Sequence, residues 1–478
     1  MATTRKPGDR PASVVDLFPT KHLAAPAVRD MPEPPGSFRN VIGPGIIAAG
    51  VGMASGEFIL YPYIASQVGL VFVWAALVGL VTQFFINMEI ERYTLATGET
   101  ALTGFSRYWR HWGLFFALMT YFANLWPGWA TSSATLVTYL WGGNANYIAI
   151  GMLVTIGAIL TLAPVVYVAL ERAQMVKVAA VGLLVVVAAG FAITAQAWGD
   201  LPTAATDAAI PVSELGWATL LGALAFAGAG GGQNLVQSNW IRDKGFGMGR
   251  YVPRIESPVT GQPEAAPSTG FVFEPTEQNM ARWRYWWRFA NKEQLYTFVL
   301  ITFVSIVFTS LLAYSTVFGK DDLPDDIAFL QVEGEELKAT VGDWFGSFFW
   351  LIGALALFLA ALGIVDYTSR LTADVLKTSY VRRANESRLY FGLVWGLVAI
   401  GILVLLAGFD QPLVLIVISA CVGGVMMFFY SALLILINRR TLPEPIRVRG
   451  VRLVALGWSF ALFGVLSVLT IADQVKQL

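Results

Sequence analysis

The sequence predicts an all-α membrane protein of about eleven transmembrane helices, built as two five-helix sets related by inversion plus one further helix. Three features carry this expectation. Of 478 residues, 56% are apolar and 13% charged, whereas a soluble domain carries about 25% charged residues. The apolar residues gather into runs of roughly 20, the length a helix needs to cross ~30 Å of hydrocarbon. Lys and Arg segregate to alternate loops: all of the 32 except Lys320, Lys338 and Lys476 fall on one side. That places the N-terminus in the cytoplasm and the C-terminus outside, in a plasma or inner membrane.

Residues 1–40 hold Arg5, Lys6, Arg10, Lys21, Arg29 and Arg39 with several prolines and no apolar stretch. They read as a mostly disordered cytoplasmic tail rather than a signal peptide. A first repeat over 41–200 follows. Its opening spans lie at 41–66 and 70–88, with Glu57 the only charge between 41 and 88. From Trp112 to Leu170 the chain has no Asp, Glu, Lys or Arg, giving two spans split near Gly142-Gly143-Asn144. The fifth span is expected at 178–199, which leaves Arg172 and Lys177 in a cytoplasmic loop. The second repeat, 213–438, has spans at 215–241, 296–319, 344–365, 389–409 and 411–438. The eleventh helix falls within 448–473.

Two soluble segments interrupt the second repeat. Residues 243–293 form a cytoplasmic insertion with a Pro/Gly-rich middle and a basic aromatic end, Arg282-Trp283-Arg284-Tyr285-Trp286-Trp287-Arg288. A flexible linker returning through an interfacial anchor accounts for that pattern; a partner-docking element is the alternative. Residues 320–343 are acidic and read as a solvated outer loop.

Several function classes are excluded at this level. A single cysteine, Cys421, forbids a disulfide framework, and with only His22 and His111 a cysteine or histidine metal cluster cannot form. Cys421 reads as an inert core thiol. Zero net charge gives no field to recruit nucleic acid. The membrane region holds no nucleophile–base pair and no nucleotide loop, so no enzyme and no cofactor are expected. Glu89 and Glu91 close span 2 beside Arg92 and are expected to form interfacial pairs.

The chemistry is expected at two broken helices. Span 1 runs Met53-Ala54-Ser55-Gly56-Glu57, and span 6 runs Ala227-Gly228-Ala229-Gly230-Gly231-Gly232-Gln233-Asn234. Each glycine costs a helix about 1 kcal/mol relative to alanine. Backbone opened in lipid finds no water, so such breaks persist where they line a cavity. These are the first spans of the two sets, and interrupted helices at matching positions point to a midplane substrate site. Close helix packing through small residues is the competing reading. Glu57 lies about 15 residues into span 1, ~22 Å along it. At that depth a carboxylate costs ~3 kcal/mol or more unless it pairs, binds a cation or is protonated.

With Gly43-Pro44-Gly45, Arg92 with Thr97-Gly98-Glu99, Gln233-Asn234-Leu235 and Leu359-Ala360-Ala361-Leu362-Gly363, the chain resembles the Nramp (natural resistance-associated macrophage protein) family of divalent-metal transporters over most of 41–475. The resemblance implies a LeuT-type fold. It also implies a secondary-active transporter moving a small cation, a divalent metal ion, between spans 1 and 6, coupled to H⁺ or Na⁺. Ala54, Ser55, Gly56, Glu57, Gly228, Gly231, Gly232, Gln233 and Asn234 would line the site, with Glu57 as metal ligand. Asp366, Thr368 and Ser369 on span 8 would serve a coupling ion. An i,i+4 pair of Asp366 with Arg370 is the structural alternative.

The departures fall at the site. Where the family has Asp-Pro-Gly-Asn, this chain has Ala54-Ser55-Gly56-Glu57, and Gly231-Gly232-Gln233 replaces Met-Pro-His. Span 3 carries Asn124, Thr131, Ser132 and Ser133 in place of acids. What remains is a hard-oxygen set suited to Mg²⁺, Na⁺ or an ammonium group. The glycines are expected to leave room, which keeps an ion-coupled carrier of an amino acid or other small organic solute open. A non-transporting membrane sensor is the further alternative.

Overall fold

The computed structural model describes residues 13–34, 43–163, 165–252, 269–409 and 411–477. Among the described residues, eight helical stretches are long and apolar enough to cross a membrane: Pro44–Phe72 (span 1), Ala145–Leu162 (4), Val166–Phe191 (5), Glu277–Thr316 (7), Asp343–Ser379 (8), Glu386–Leu406 (9), Pro412–Arg440 (10) and Val451–Lys476 (11). Three more complete the bundle. Span 2, Trp74–Thr97, has 24 residues but carries Gln83, Asn87, Glu89 and Glu91. Span 3 is split into His111–Asn124 and Gly128–Trp141, and span 6 into Val212–Ala225 and Gly232–Lys244.

Local chemistry sets the ends. Pro127, with no N–H to give, marks the break in span 3 and accepts the Thr131 N–H at 3.0 Å. Asn144 starts span 4 by accepting the N–H groups of Asn146 and Tyr147 at 3.0 and 3.2 Å. Spans 1 and 8 lie at the centre, 94% and 78% buried over their apolar windows, while spans 4, 5 and 11 at 28%, 33% and 33% form the lipid-facing rim.

Four expectations are corrected. Span 5 starts at Val166, about a dozen residues early, so Lys177 sits inside the helix and not in a loop. Periodicity missed this because Arg172 and Lys177 interrupt an otherwise apolar run.

Residues 13–34 are ordered rather than disordered. Strand β1, Ala27–Val28, pairs in parallel with β2, Phe271–Val272. Arg107 donates to the carbonyls of Pro19 and Ala24 at 3.3 and 3.0 Å, and Trp286 Nε1 donates to the Pro32 carbonyl at 3.0 Å. Met31 is fully buried. The strap therefore finds its partners in distant loops, which composition cannot reveal.

The basic aromatic end of the insertion is the first part of a continuous helix, Glu277–Glu293, running into span 7. Its Trp283 and Trp286 are buried rather than interfacial. The Pro/Gly-rich centre lies largely outside the described residues.

The outer segment contains a helix, Phe329–Thr340, rather than a solvated loop. It packs on the start of span 8, where Trp350 Nε1 donates to the Leu330 carbonyl at 2.9 Å.

Candidate functional site

Span 1 is helical over Pro44–Gly52, opens at Met53–Ser55, and resumes as a π-turn, Gly56–Leu60. Span 6 opens between Ala225 and Gly232. The two openings face each other. A Cβ on Gly52 would stand 2.0 Å from the Gly228 carbonyl oxygen, and one on Gly56 would stand 1.9 Å from that of Phe226. Both are backbone contacts that only glycine allows. Gly228 and Gly231 also hold φ of 107° and 63°, left-handed conformations disfavoured for other residues.

Of the predicted lining residues, Gly56 meets span 6 at Phe226 and Gly228 meets span 1 at Gly52, while Gly231 and Gly232 face Gly423 and Thr120 instead. Gln233 spans the gap, donating from Nε2 to the Ala48 carbonyl at 2.7 Å. Asn234 turns away to span 2, donating to Asn87 Oδ1 at 2.6 Å and accepting from the Tyr430 hydroxyl at 2.8 Å. The room expected beside the glycines is absent. A Cβ on Gly231 would meet Gly423 Cα at 2.6 Å, and one on Gly232 would meet Thr120 at 2.4 Å. At these positions the glycines serve close approach rather than open space.

Glu57 is 1% exposed, and neither carboxylate oxygen has a hydrogen-bond partner among the described residues. Its backbone carbonyl is taken by Thr309 Oγ1 of span 7 at 2.5 Å. Its side chain is in electrostatic reach of Lys177. A bare carboxylate in such surroundings is costly without a counter-charge.

Residues that sequence reasoning missed hold the breaks open. Gln83 of span 2 donates to the Leu224 and Ala225 carbonyls at 3.3 and 2.9 Å and accepts the Ala229 N–H at 2.7 Å. One amide thus satisfies the backbone groups that the span 6 break frees. Gln174 of span 5 donates to the Leu359 carbonyl at 2.9 Å. For Gln83 a lone polar side chain inside an apolar run was the available signal; Gln174, among Glu171, Arg172 and Lys177, offered none.

Span 8 is arranged differently from the coupling-ion expectation. Arg370 takes both oxygens of Asp366, at 2.9 and 3.2 Å, and Tyr390 adds a hydrogen bond at 2.7 Å. Arg370 also pairs with Asp243, and Arg242 joins Asp374 at 2.8 Å. Asp366 therefore belongs to a buried ion-pair network at the basic end of the bundle, the i,i+4 arrangement. Thr368 Oγ1 accepts from Asn124 Nδ2 at 2.9 Å, while Ser369 Oγ is buried without a partner among the described residues.

The motifs at the basic end are structural too. Gly43 and Gly45 donate their N–H groups to Glu293 at 3.3 and 2.9 Å. Glu99 binds Arg107 through two hydrogen bonds and accepts from Tyr93 at 2.7 Å. Glu89 pairs with Arg92 at 2.7 Å as expected. Glu91 differs: it is fully buried, and neither oxygen has a hydrogen-bond partner among the described residues.

No protein-family model and no curated protein matches the sequence. Solved structures do match the fold. A variant of the Eremococcus coleocola manganese transporter superposes with a TM-score of 0.67 at 11% identity, covering 94% of this chain and 90% of that one. The same transporter in complex with an aromatic bis-isothiourea substituted compound gives 0.65 at 11% identity, with 97% and 91% covered. A nucleobase-cation-symport-1 family transporter in a closed conformation, with bromovinylhydantoin bound, gives 0.53 at 13% identity, with 92% of each chain covered. The chain is a multi-pass membrane protein of LeuT-type fold, with two inverted five-helix repeats and one additional helix.

Proposed function

We propose that this chain is a secondary-active transporter, a divergent relative of the Nramp proteins, that moves a small cation past the paired breaks of spans 1 and 6. The observation that carries the reading is Glu57. It is a buried carboxylate without a hydrogen-bond partner among the described residues, set at the break of the central helix. Nearby carbonyls and Ser55 add hard oxygens, a donor set for Mg²⁺, Na⁺ or an ammonium group rather than for softer metals. A substrate-sized opening requires the two breaks to separate, as alternating access in inverted repeats provides. The manganese transporter that shares this fold supports a metal ion as cargo.

One observation favours the second reading, an ion-coupled carrier of an amino acid or another organic solute bearing an ammonium group. Among the described residues no group of three or more His, Cys, Asp or Glu is placed to hold a metal ion.

Glu57→Gln tests the proposal, because it removes the charge while keeping the volume. Uptake into proteoliposomes should be abolished in protein that still folds, as judged by a cooperative thermal unfolding transition. Uptake that survives the exchange would reduce Glu57 to a neutral structural group.

A further inference from the structure

Span 5 brings to the site a lysine that the transport reading does not use. Lys177 stands about eleven residues past Val166, ~17 Å along the helix. It is fully buried, and its Nζ has no hydrogen-bond partner among the described residues. Its electrostatic partner is Glu57 of span 1, whose two oxygens are equally without partners there. The two groups do not reach ion-pair contact. Spans 6, 7 and 8 also pack on span 5, and none brings a further charged group to Lys177 among the described residues. On span 1, Tyr61 is the other titratable group in electrostatic reach of Glu57. One turn before Lys177, Gln174 leaves Oε1 unused, so the face of span 5 turned to span 1 is polar.

A lone ammonium at this depth costs about 3 kcal/mol or more, and the same holds for a lone carboxylate. Each is tolerable because the other is near. A cation arriving at Glu57 meets a positive charge already in place, and like charges in a buried site oppose each other strongly. Lysine, unlike arginine, can resolve that conflict by losing its proton.

We propose that Lys177 is the tethered counter-cation of Glu57, and that a substrate cation binds by displacing the Lys177 proton to water. The inference rests on Glu57 being the cation ligand. In the binding step one N–H bond of the ammonium breaks, its electron pair stays on Nζ as the lone pair, and the proton leaves as the cation joins the carboxylate. Nothing is oxidised or reduced. With a singly charged cation the charge of the site is conserved; a divalent ion would add one positive charge in a low-dielectric interior. The substrate class is therefore a monovalent cation or an ammonium-bearing solute, and the proton is the competing ion.

Isothermal titration calorimetry on the purified full chain tests this, with NaCl, methylammonium chloride, MgCl₂ and MnCl₂ as probes. Two buffers of different ionisation heat count the protons released from about pH 6 to about pH 9. For wild type, a monovalent probe should bind with one proton released and an affinity rising about tenfold per pH unit. Lys177→Gln and Lys177→Met leave Glu57 without its counter-charge, so its carboxyl protonates and any proton these variants release on binding comes from Glu57. Lys177→Arg, which keeps its charge throughout, should not bind it. Wild-type binding without proton release, or binding by Lys177→Arg with the wild-type proton release, overturns the proposal and leaves Glu57 as the ligand. If no probe binds, or Glu57→Gln binds as well as wild type, the reading of Glu57 fails and this inference falls with it. If a Lys177 variant does not fold, infrared difference spectra of wild type decide: loss of a protonated-carboxyl band on binding assigns the released proton to Glu57 and overturns the proposal, and its absence supports Lys177 as the source.

Discussion

The carboxylate of Glu293, on span 7, accepts the N–H of Gly45 at 2.9 Å and that of Gly43 at 3.3 Å. It thereby caps the first turn of span 1, where the helix leaves unpaired donors and the positive end of its dipole. The contact explains why small residues flank Pro44. A Cβ on Gly45 would stand 2.3 Å from Thr297 Oγ1 and 2.6 Å from Glu293 Oε2. Gly45→Ala should cost about 1–3 kcal/mol as an overpacked contact, read as a lower thermal unfolding midpoint. Gly151→Ala, whose Cβ meets nothing within 4 Å, should be neutral or gain up to about 1 kcal/mol. Equal effects from the two would remove the packing account.

The network around Arg370 makes the next prediction. Arg370→Met leaves Asp366 without its ionic partner and Asp243 with only Arg242 at 3.7 Å, a loss of about 3–5 kcal/mol. Asp366→Asn should be milder, because Asp243 still pairs with Arg370. The Asp366→Asn protein should keep the proton release of wild type on cation binding. Loss of that release at an unchanged unfolding midpoint would return a coupling role to Asp366.

Glu333, on the outer helix Phe329–Thr340, is buried, and burial pushes its carboxyl from the ordinary 4.5 up to about 8. The group is neutral in the folded helix where the unfolded chain would ionise it. Its stabilising contribution is therefore complete below about pH 4.5 and disappears as pH rises through about 8. Amide protection factors across Phe329–Thr340, which remove the intrinsic rise of exchange with pH, should fall over that window in wild type. Glu333→Gln should flatten the dependence and slow exchange at the alkaline end. A wild-type profile without slope would show that Glu333 stays charged.

The strap at 13–34 and the centre of the insertion should behave oppositely on deletion. Removing residues 13–34 takes away the Pro19 and Ala24 carbonyls from Arg107, the Met31 N–H from Asn279 and the Pro32 carbonyl from Trp286, and should lower the unfolding midpoint. Removing Glu256 to Ser268 should leave folding and uptake nearly intact. Loss of folded protein in the second deletion would show a structural element inside it.

The charge segregation predicts that the C-terminus lies outside the cytoplasm. A C-terminal reporter that matures only in the cytoplasm should remain dark, and a bright signal would overturn the orientation.

Charge spacing and glycine placement carried much of this architecture. Runs of about 20 apolar residues need no partner to be legible, because lipid forces each to be a helix. The broken helices were legible for the same reason: glycine and polar residues in mid-span contradict a lipid-facing helix, and Glu57 stood out within them. What the glycines do was decided by tertiary structure. Whether Gly52 and Gly228 leave a cavity or let two backbones touch depends on how close span 6 comes, and no local pattern reports that distance. The same limit hid Lys177, since a basic residue at the edge of an apolar run reads as a loop until a distant carboxylate makes its burial tolerable. Gln83 and Gln174 were hidden likewise, because their donors and acceptors answer backbone groups far away in the chain. Asp366 shows both sides: the i,i+4 spacing to Arg370 was readable, but only packing against Tyr390 and Asp243 turned that spacing into a buried network.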